Sequence, residues 1–286
     1  MIHFVQILVL AVVQGATELL PVSSSAHVIV AEKLMGLDPT SPAMTLLLVM
    51  LHTGTMMAVI IFFWNSWKAN FFSTPKATWE TVKITGIATI ATGVVGLVLK
   101  TLIEKVVLKG IAHAEVELLF GNLLIISAAL AVVGALILCT GLINENTSQE
   151  KSTIGFMAAS LIGLVQGLCL PFRGFSRSGA TISTGLILGL EKRKVEDFSF
   201  ALAVILTPPV ILREALRFLK VQHASGLHAT LGMFVPSLIG MVMSFAAGFL
   251  ALMWLSNWLA QGRWYLFGFY CLCASLVIFL LHGQGL

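Results

Sequence analysis

The stretch GATELLPVSSSAH, residues 15–27, interrupts a long apolar segment with carboxylate, hydroxyl and imidazole side chains. A second stretch, GLCLPFRGFSRSGAT at residues 167–181, interrupts another apolar segment in the same manner. The apolar arms around each interruption are about 10–15 residues long, which is too short to cross a bilayer core of about 30 Å. The regions around them, about 1–40 and 153–191, are therefore predicted to form two re-entrant helical hairpins.

The two interrupted segments begin alike, which predicts an internal repeat. The tripeptide Val-Gln-Gly at 13–15 recurs at 165–167, and a proline and a serine cluster follow each copy. Each hairpin also precedes three apolar stretches, and an odd number of spans per half reverses the orientation of the second half. The sequence thus predicts one membrane domain, 1–286, made of inverted halves at 1–143 and 153–286.

The composition indicates an integral membrane protein. Hydrophobic residues make up 58% of the chain and charged residues 10%, whereas an average soluble domain is about 25% charged. We therefore expect an all-α integral membrane fold, with six transmembrane helices and the two re-entrant hairpins. The predicted spans are 43–64, 84–99, 117–143, 198–212, 229–255 and 264–282.

The charge pattern excludes one class of partner and leaves the orientation open. The net charge is +4, but the basic residues are scattered between apolar spans, so no nucleic-acid partner is expected. The basic loop residues are also divided almost equally between the two predicted faces, so the positive-inside rule does not orient the chain.

One amide and one carboxyl side chain lie where the first interruption begins. Gln14 and Glu18 are four residues apart, so they share one helix face and can hold one ligand together. Pro21 is expected to end or kink that helix.

The serine cluster after the proline predicts the start of a second helix. Ser23, Ser24 or Ser25 could cap this helix, whose free N–H groups and partial positive charge suit an anion. Ser24 and His27 are three residues apart and are expected to face the same way, which would place a hydroxyl beside an imidazole.

The second interruption supplies cationic and hydroxyl groups. Residues 174–181 combine flexible backbone with three hydroxyls and a guanidinium, and Ser176 is predicted to cap the following helix. Arg173 and Arg177 are costly in an apolar segment without a counter-charge, so they are functional candidates. Arginine also suits phosphate well. If the halves are inverted, both hairpins meet and form a pyrophosphate pocket inside the membrane.

Each candidate also has an ordinary structural interpretation. The serine run could only cap a helix, and Glu18 could pair with Arg177 simply to neutralise two buried charges. Arg173 could snorkel or lie at the pocket entrance. His52 is interpreted as a packed or hydrogen-bonded helix residue rather than a catalyst.

At these residues the sequence resembles the undecaprenyl-pyrophosphate phosphatases of the BacA type, which are known for bacitracin resistance. The resemblance covers essentially the whole chain in the order and length of its spans. It is strongest at residues 14–18, 21–27 and 174–181, and weaker at 54–64 and 197–200.

The resemblance implies hydrolysis of a polyprenyl pyrophosphate lipid to the monophosphate, with a divalent cation, Mg²⁺ or Ca²⁺, as cofactor. It implies a multi-pass protein of the bacterial cytoplasmic (inner) membrane, with a site facing the periplasmic or outer leaflet. Carried over residue by residue, it predicts metal handling by Gln14 and Glu18 and catalysis by Glu18, Ser24, His27 and Arg177. The predicted substrate-binding residues are Ser23, Ser25, Arg173, Gly174, Ser176, Ser178 and Thr181.

Two departures from the family's usual residues matter. The first acidic position is Gln14, which the family pattern allows but which removes one negative charge from any metal site. Arg173 stands where the family has a proline just before the motif glycine, with Pro171 two residues earlier.

Several alternatives follow from the same residues. Ser24 could attack phosphorus with His27 as base, or His27 could activate water directly. A flippase or transporter of the lipid carrier would share the inverted repeat and its midplane pocket. The sequence blocks of the type-2 phosphatidate phosphatases do not occur in the chain. Small residues such as Gly93, Gly96 and Gly134 could support helix packing or a homodimer.

Overall fold

The computed structural model describes residues 3–38, 41–109, 116–143, 152–225 and 227–285. This part of the chain forms ten α-helices and contains no strand. A π-helical turn at Ile103–Val107 and a 3-10 turn at Val116–Leu119 lie between the fourth and fifth helices. The helices are α1 Phe4–Leu19, α2 Ser24–Leu34, α3 Pro42–Asn70, α4 Pro75–Leu102, α5 Leu123–Ile143, α6 Phe156–Cys169, α7 Arg177–Ile187, α8 Lys192–Ser225, α9 Leu227–Ala260 and α10 Tyr265–Gly283.

Both predicted interruptions form tight connections between two short helices. The first helix of the N-terminal pair ends at Leu19, two residues before Pro21, and Ser23 adopts a positive φ of 67° before α2 begins. In the second pair, the backbone turns at Gly174 with a φ of 99°. Ser176 caps α7 as predicted, because its hydroxyl accepts a hydrogen bond from the Gly179 N–H at 3.2 Å.

The prediction of an all-α membrane protein is confirmed. Five helices are long and apolar enough to cross a bilayer among the described residues: α3, α4, α5, α9 and α10. The predicted span at 198–212 lies in α8, whose 34 residues correspond to about 50 Å of helix. It is therefore long enough for a bilayer core of about 30 Å.

Three predicted span boundaries were wrong, each for a local reason. The span predicted at 84–99 is too short, because α4 begins at Pro75 and its charged first turns remain helical. The span predicted from 117 begins only at Leu123, where Asn122 Oδ1 accepts from the backbone of the first turn. The span predicted at 198–212 is also too short, because α8 runs from Lys192 to Ser225.

The helices pack in pairs that follow the predicted repeat. α1 lies against α9, and α6 lies against α4. A Cβ on Gly15 would lie 2.5 Å from the Ser244 carbonyl oxygen, and a Cβ on Gly167 would lie 2.8 Å from the Thr92 carbonyl oxygen. Gly167 lies 152 positions after Gly15, and Ser244 lies 152 positions after Thr92. Each half of the chain therefore makes the equivalent contact with the other half. The inverted orientation of the two halves stays a prediction.

Another close pair, α5 and α10, uses one of the glycines singled out in the sequence. A Cβ on Gly134 would lie 3.1 Å from the Gly268 carbonyl oxygen, and Ser127 and Ser275 exchange hydrogen bonds farther along the same pair. Gly134 thus serves packing within the chain. The homodimer stays a prediction.

Candidate active site

A cavity of about 270 Å³ lies between the tips of the two hairpins. α3 and α8 complete its wall. Most of the predicted site residues line it, so the hairpins meet as the repeat predicts. These lining residues are Glu18, Ser23, Ser24, Ser25, Arg173, Ser176, Arg177 and Ser178.

Glu18 is the centre of the acidic side of the cavity. Its Oε2 accepts a hydrogen bond from the Gln14 side-chain amide at 3.1 Å and a short one from the Ser24 hydroxyl. Gln14 and Glu18 therefore act together, as their four-residue spacing predicts. The Ser24 hydroxyl points at a carboxylate, which is a proton acceptor.

Arg177 faces Glu18 across the cavity. The distance from an Arg177 guanidinium nitrogen to Glu18 Oε1 is 3.9 Å, which is longer than the roughly 2.7–2.9 Å of a direct charged hydrogen bond. The two charges are therefore close enough to stabilise each other, yet each keeps hydrogen-bonding capacity for a ligand. An anion held by Arg177 would lie beside Ser24 and Glu18.

The helix starts contribute hydroxyls to the same cavity. Ser23 and Ser25 lie 3.3 Å apart through their hydroxyls at the start of α2. Ser178 donates to the Leu20 carbonyl oxygen at 3.4 Å, and this bond joins the second hairpin to the first. The N-termini of α2 and α7 therefore both open at the cavity, where their unpaired N–H groups suit an anion.

The His27 ring and the Ser24 hydroxyl bond to different partners in the described part of the chain, although the sequence predicted that the two would face the same way, with the hydroxyl beside the imidazole. Its Nδ1 donates to the Ser23 carbonyl oxygen at 2.8 Å, and its Nε2 accepts from the Tyr270 hydroxyl at 2.7 Å. The ring also stacks on Tyr270, with centroids 5.7 Å apart. Both ring nitrogens are therefore used in bonds that tie α2 to itself and to α10, and the predicted catalytic role of His27 stays a prediction.

Two further predicted binding residues lie outside the cavity wall. Thr181 is buried and its hydroxyl shares a 2.7 Å hydrogen bond with Ser199, so it joins α7 to α8. Gly174 packs its backbone against α5, where a Cβ would collide with the Ile126 carbonyl oxygen. Both residues position the second hairpin in this structure.

Arg173 lies at the exposed edge of the cavity. Its guanidinium stacks over the Phe120 ring at 4.4 Å from the centroid, and its charge acts on the buried Glu32 carboxylate of α2. Because cation–π contacts hold a guanidinium at a surface, Arg173 occupies the rim and Arg177 the interior.

His52 was interpreted as a packed or hydrogen-bonded helix residue, and it makes such a hydrogen bond within α3 while its ring also lines the cavity. Its Nδ1 lies 2.8 Å from the Leu48 carbonyl oxygen, and a carbonyl can only accept a hydrogen bond. The neutral ring therefore carries its proton on Nδ1 and presents the Nε2 lone pair, which lies 3.9 Å from Glu18 Oε2. The signal was present in the sequence as an ionisable residue within an apolar span.

The apolar wall was not predicted from the sequence. Helix α8 contributes Ala203, Leu206 and Thr207, and the second hairpin contributes Leu170 and Phe172. A floor with charges and a wall with alkyl groups suit a ligand that has both a charged and an apolar part.

The residues around Glu18 fit a divalent cation that a substrate phosphate also binds. Glu18 supplies a carboxylate as a direct ligand, the Gln14 amide orients this carboxylate by a hydrogen bond, and the His52 Nε2 lone pair can accept a hydrogen bond from a water on the cation. The described part of the chain has no group of three or more His, Cys, Asp or Glu side chains that would enclose a metal. Mg²⁺ is commonly bound by one or two carboxylates together with waters and phosphates, so this open set of donors fits Mg²⁺ or Ca²⁺.

Comparison with known proteins identifies relatives over almost the full length. The family described as bacitracin resistance protein BacA matches residues 7–277. Undecaprenyl-diphosphatase 2 of Acinetobacter baylyi is 54% identical over 278 residues, which are 96% of each chain. Undecaprenyl-diphosphatase of Desulforapulum autotrophicum is 32% identical over 94% of this chain and 95% of the relative. That of Halothermothrix orenii is 28% identical over 97% and 98%.

Proposed function

This chain belongs to the bacitracin-resistance BacA family, and we propose that it hydrolyses undecaprenyl diphosphate (pyrophosphate) to undecaprenyl phosphate and inorganic phosphate. Its relatives carry the name undecaprenyl-diphosphatase. The product is the form of the lipid carrier that is reused in cell-wall synthesis. The chain is thus an enzyme, a phosphoric anhydride hydrolase of the membrane.

One observation carries the assignment of the site. The cavity holds Arg177 opposite a Glu18 carboxylate that accepts a hydrogen bond from the Ser24 hydroxyl. Arg177 and the N-termini of α2 and α7 would bind the diphosphate and neutralise the charge that develops on its oxygens. Such stabilisation is usually the largest contribution to phosphoryl transfer.

In the proposed reaction Ser24 is the nucleophile. Its Oγ attacks the terminal phosphorus while Glu18 takes its proton, and the bond between that phosphorus and the bridging oxygen breaks. Undecaprenyl phosphate leaves, and water then hydrolyses the phosphoseryl ester to release phosphate and regenerate Ser24. A direct attack by water would instead leave Ser24 as a positioning group, and a trapped phosphoseryl species distinguishes the two routes.

A divalent cation, Mg²⁺ or Ca²⁺, would be held by Glu18, assisted by Gln14, whose amide orients the carboxylate. When bound, the cation would supply positive charge to the phosphate oxygens. Of the two histidines near the hairpin, His52 rather than His27 presents a lone pair to the cavity. We therefore assign to His52 a hydrogen bond from a water on the cation.

We place the protein in the bacterial inner membrane with its cavity open to the periplasmic side, as the family resemblance implies. A flippase or transporter would use the same pocket, but it would not need a hydroxyl hydrogen-bonded to a carboxylate. No finding from the relatives supports that alternative.

The test is phosphate release from undecaprenyl diphosphate by the purified protein in detergent, first with Mg²⁺ and then with a chelator. We expect metal-dependent release that Glu18→Ala and Arg177→Ala both abolish. A well-folded wild-type protein that releases no phosphate under any metal condition would refute the proposed function.

A further inference from the structure

The repeat predicts two equivalent helix contacts, of which the first, between α3 and α9, is close. A Cβ added to Gly54 would collide with the Met241 carbonyl oxygen and lie 3.1 Å from the Phe245 backbone nitrogen. Ser244 adds a hydrogen bond from its hydroxyl to the Leu51 carbonyl oxygen at 3.1 Å. The backbones of α3 and α9 therefore touch at the depth of the cavity.

The second contact, between α8 and α4, is open. The two halves align at a spacing of 152 positions. In this alignment Leu206 of α8 corresponds to Gly54 of α3, and Gly93 of α4 corresponds to Phe245 of α9. A Cβ added to Gly93 would meet no other described atom within 4 Å. α8 also contains Pro208 and Pro209, which remove backbone hydrogen bonds and bend a helix. The longer side chain in α8 and the absence of a side chain at Gly93 leave α4 and α8 less closely packed than α3 and α9, with a gap beside Gly93.

The gap is continuous with the cavity. Leu206 lines the cavity from α8. Leu170 lines it from the second hairpin, packs on Gly96 of α4, and is still 49% exposed. The cavity therefore reaches the lipid-facing surface beside α4, through a mouth made of alkyl groups, while its floor holds Glu18 and Arg177.

We propose that the prenyl chain of the substrate leaves the cavity between α4 and α8, in a groove formed by Gly93, Leu170 and Leu206. This inference rests on the proposed function, since it concerns the lipid part of the same substrate. A lipid diphosphate must bring its charged end to Arg177 while its chain stays in the hydrocarbon layer. Only an opening on a lipid-facing side, such as this groove, lets it do so without burying the chain among polar groups.

The test fills the groove and compares two substrates. Gly93→Trp places a large ring between α4 and α8, so it should obstruct the chain of undecaprenyl diphosphate. A five-carbon prenyl diphosphate has too short a chain to reach the groove. We expect the ratio of kcat/KM for the long over the short substrate to fall at least about tenfold, mainly through KM for the long one.

Gly86→Trp is the matched control. Gly86 lies seven residues earlier on α4, on nearly the same helix face and about 10 Å farther from the cavity mouth. A Cβ there also meets nothing within 4 Å among the described residues. This variant should keep the wild-type substrate ratio within about twofold, because it adds the same ring to the same helix outside the groove.

The outcomes separate this inference from the proposed function. A wild-type protein that hydrolyses both substrates, with an unchanged ratio in Gly93→Trp, overturns the tail route alone. If Gly93→Trp loses both activities, the smaller Gly93→Leu decides: a lowered ratio supports the groove and an unchanged ratio overturns it. A wild-type protein that hydrolyses neither substrate refutes the proposed function itself.

Discussion

The two hairpins have the same backbone plan and opposite chemistry. At a spacing of 152 positions, Gln14 corresponds to Gln166 and Ser24 to Ser176, but Glu18 corresponds to Leu170. The position of Ser25 is taken by Arg177 in the second hairpin. The first hairpin therefore brings the carboxylate and the second brings the guanidinium.

This difference has a physical reason. Two carboxylates or two guanidiniums facing each other in a poorly solvated cavity would repel and resist ionisation. One of each, 3.9 Å apart, stabilise each other and leave room for a phosphate. The repeat accounts for the shared backbone of the two hairpins. The two charged groups of the cavity, Glu18 and Arg177, lie at positions where the two halves differ.

The largest expected effect separates the two equivalent serines. Ser24→Ala should lower kcat by at least about 10⁴-fold, because it removes the proposed nucleophile. Ser176→Ala removes a helix cap and should cost about 1 kcal/mol of stability with a much smaller loss of rate. Phosphate release and thermal unfolding in detergent measure the two quantities. An active Ser24→Ala protein would rule out the covalent route.

The next comparison concerns the two arginines of the second hairpin. Arg177→Ala should lower kcat/KM about 10³-fold, because Arg177 faces the reacting phosphate inside the cavity. Arg173→Ala should cost about tenfold or less, because its guanidinium stacks on Phe120 at the rim. The measurement is steady-state phosphate release, with retained folding checked by size-exclusion chromatography. Equal losses would contradict the assignment of interior and rim.

The two histidines should differ in metal dependence. His52→Ala should raise the Mg²⁺ concentration for half-maximal rate about 10–100-fold, because it removes a hydrogen-bond acceptor for a water on the cation beside Glu18. His27→Ala should leave that concentration unchanged, because both of its ring nitrogens bond to Ser23 and Tyr270. Titrations of rate against Mg²⁺ give both values. If this Mg²⁺ concentration rose in His27→Ala and not in His52→Ala, His27 rather than His52 would be the histidine that acts on the metal.

The smallest effect separates the two equivalent glutamines. Gln14→Leu should lower kcat/KM about tenfold, because it removes the amide that holds Glu18. Gln166→Leu should change stability by less than about 1 kcal/mol and leave the rate unchanged. It loses a bond to Thr92 but also removes an amide oxygen that has no hydrogen-bond partner among the described residues. A large rate loss in Gln166→Leu would mean that both hairpins contribute to catalysis symmetrically.

Much of the site follows from local sequence. Pro21 predicted the end of α1, and Ser176 was correctly predicted to cap α7. The spacing of Gln14 and Glu18 predicted their shared face, which the hydrogen bond between them confirms. These features depend on helical geometry within a few residues.

Other features did not follow, because they depend on how helices are placed relative to each other. Ser24 and His27 are three residues apart, but the Tyr270 hydroxyl of a distant helix draws the His27 ring away. The interior position of Arg177 likewise depends on where Glu18 of α1 lies. The rim position of Arg173 depends on where Phe120, just before α5, lies.

The sequence by itself determined the membrane setting, the two hairpins, their caps and the identity of the charged groups. Apolar composition, proline and serine act through local backbone preferences and through the cost of exposing polar groups to lipid. Only the tertiary structure decided which of these groups meet, that His52 of α3 joins them, and that α8 packs loosely against α4. Such contacts join residues far apart in the chain, and they depend on close packing of whole helices, as at Gly54 and Met241.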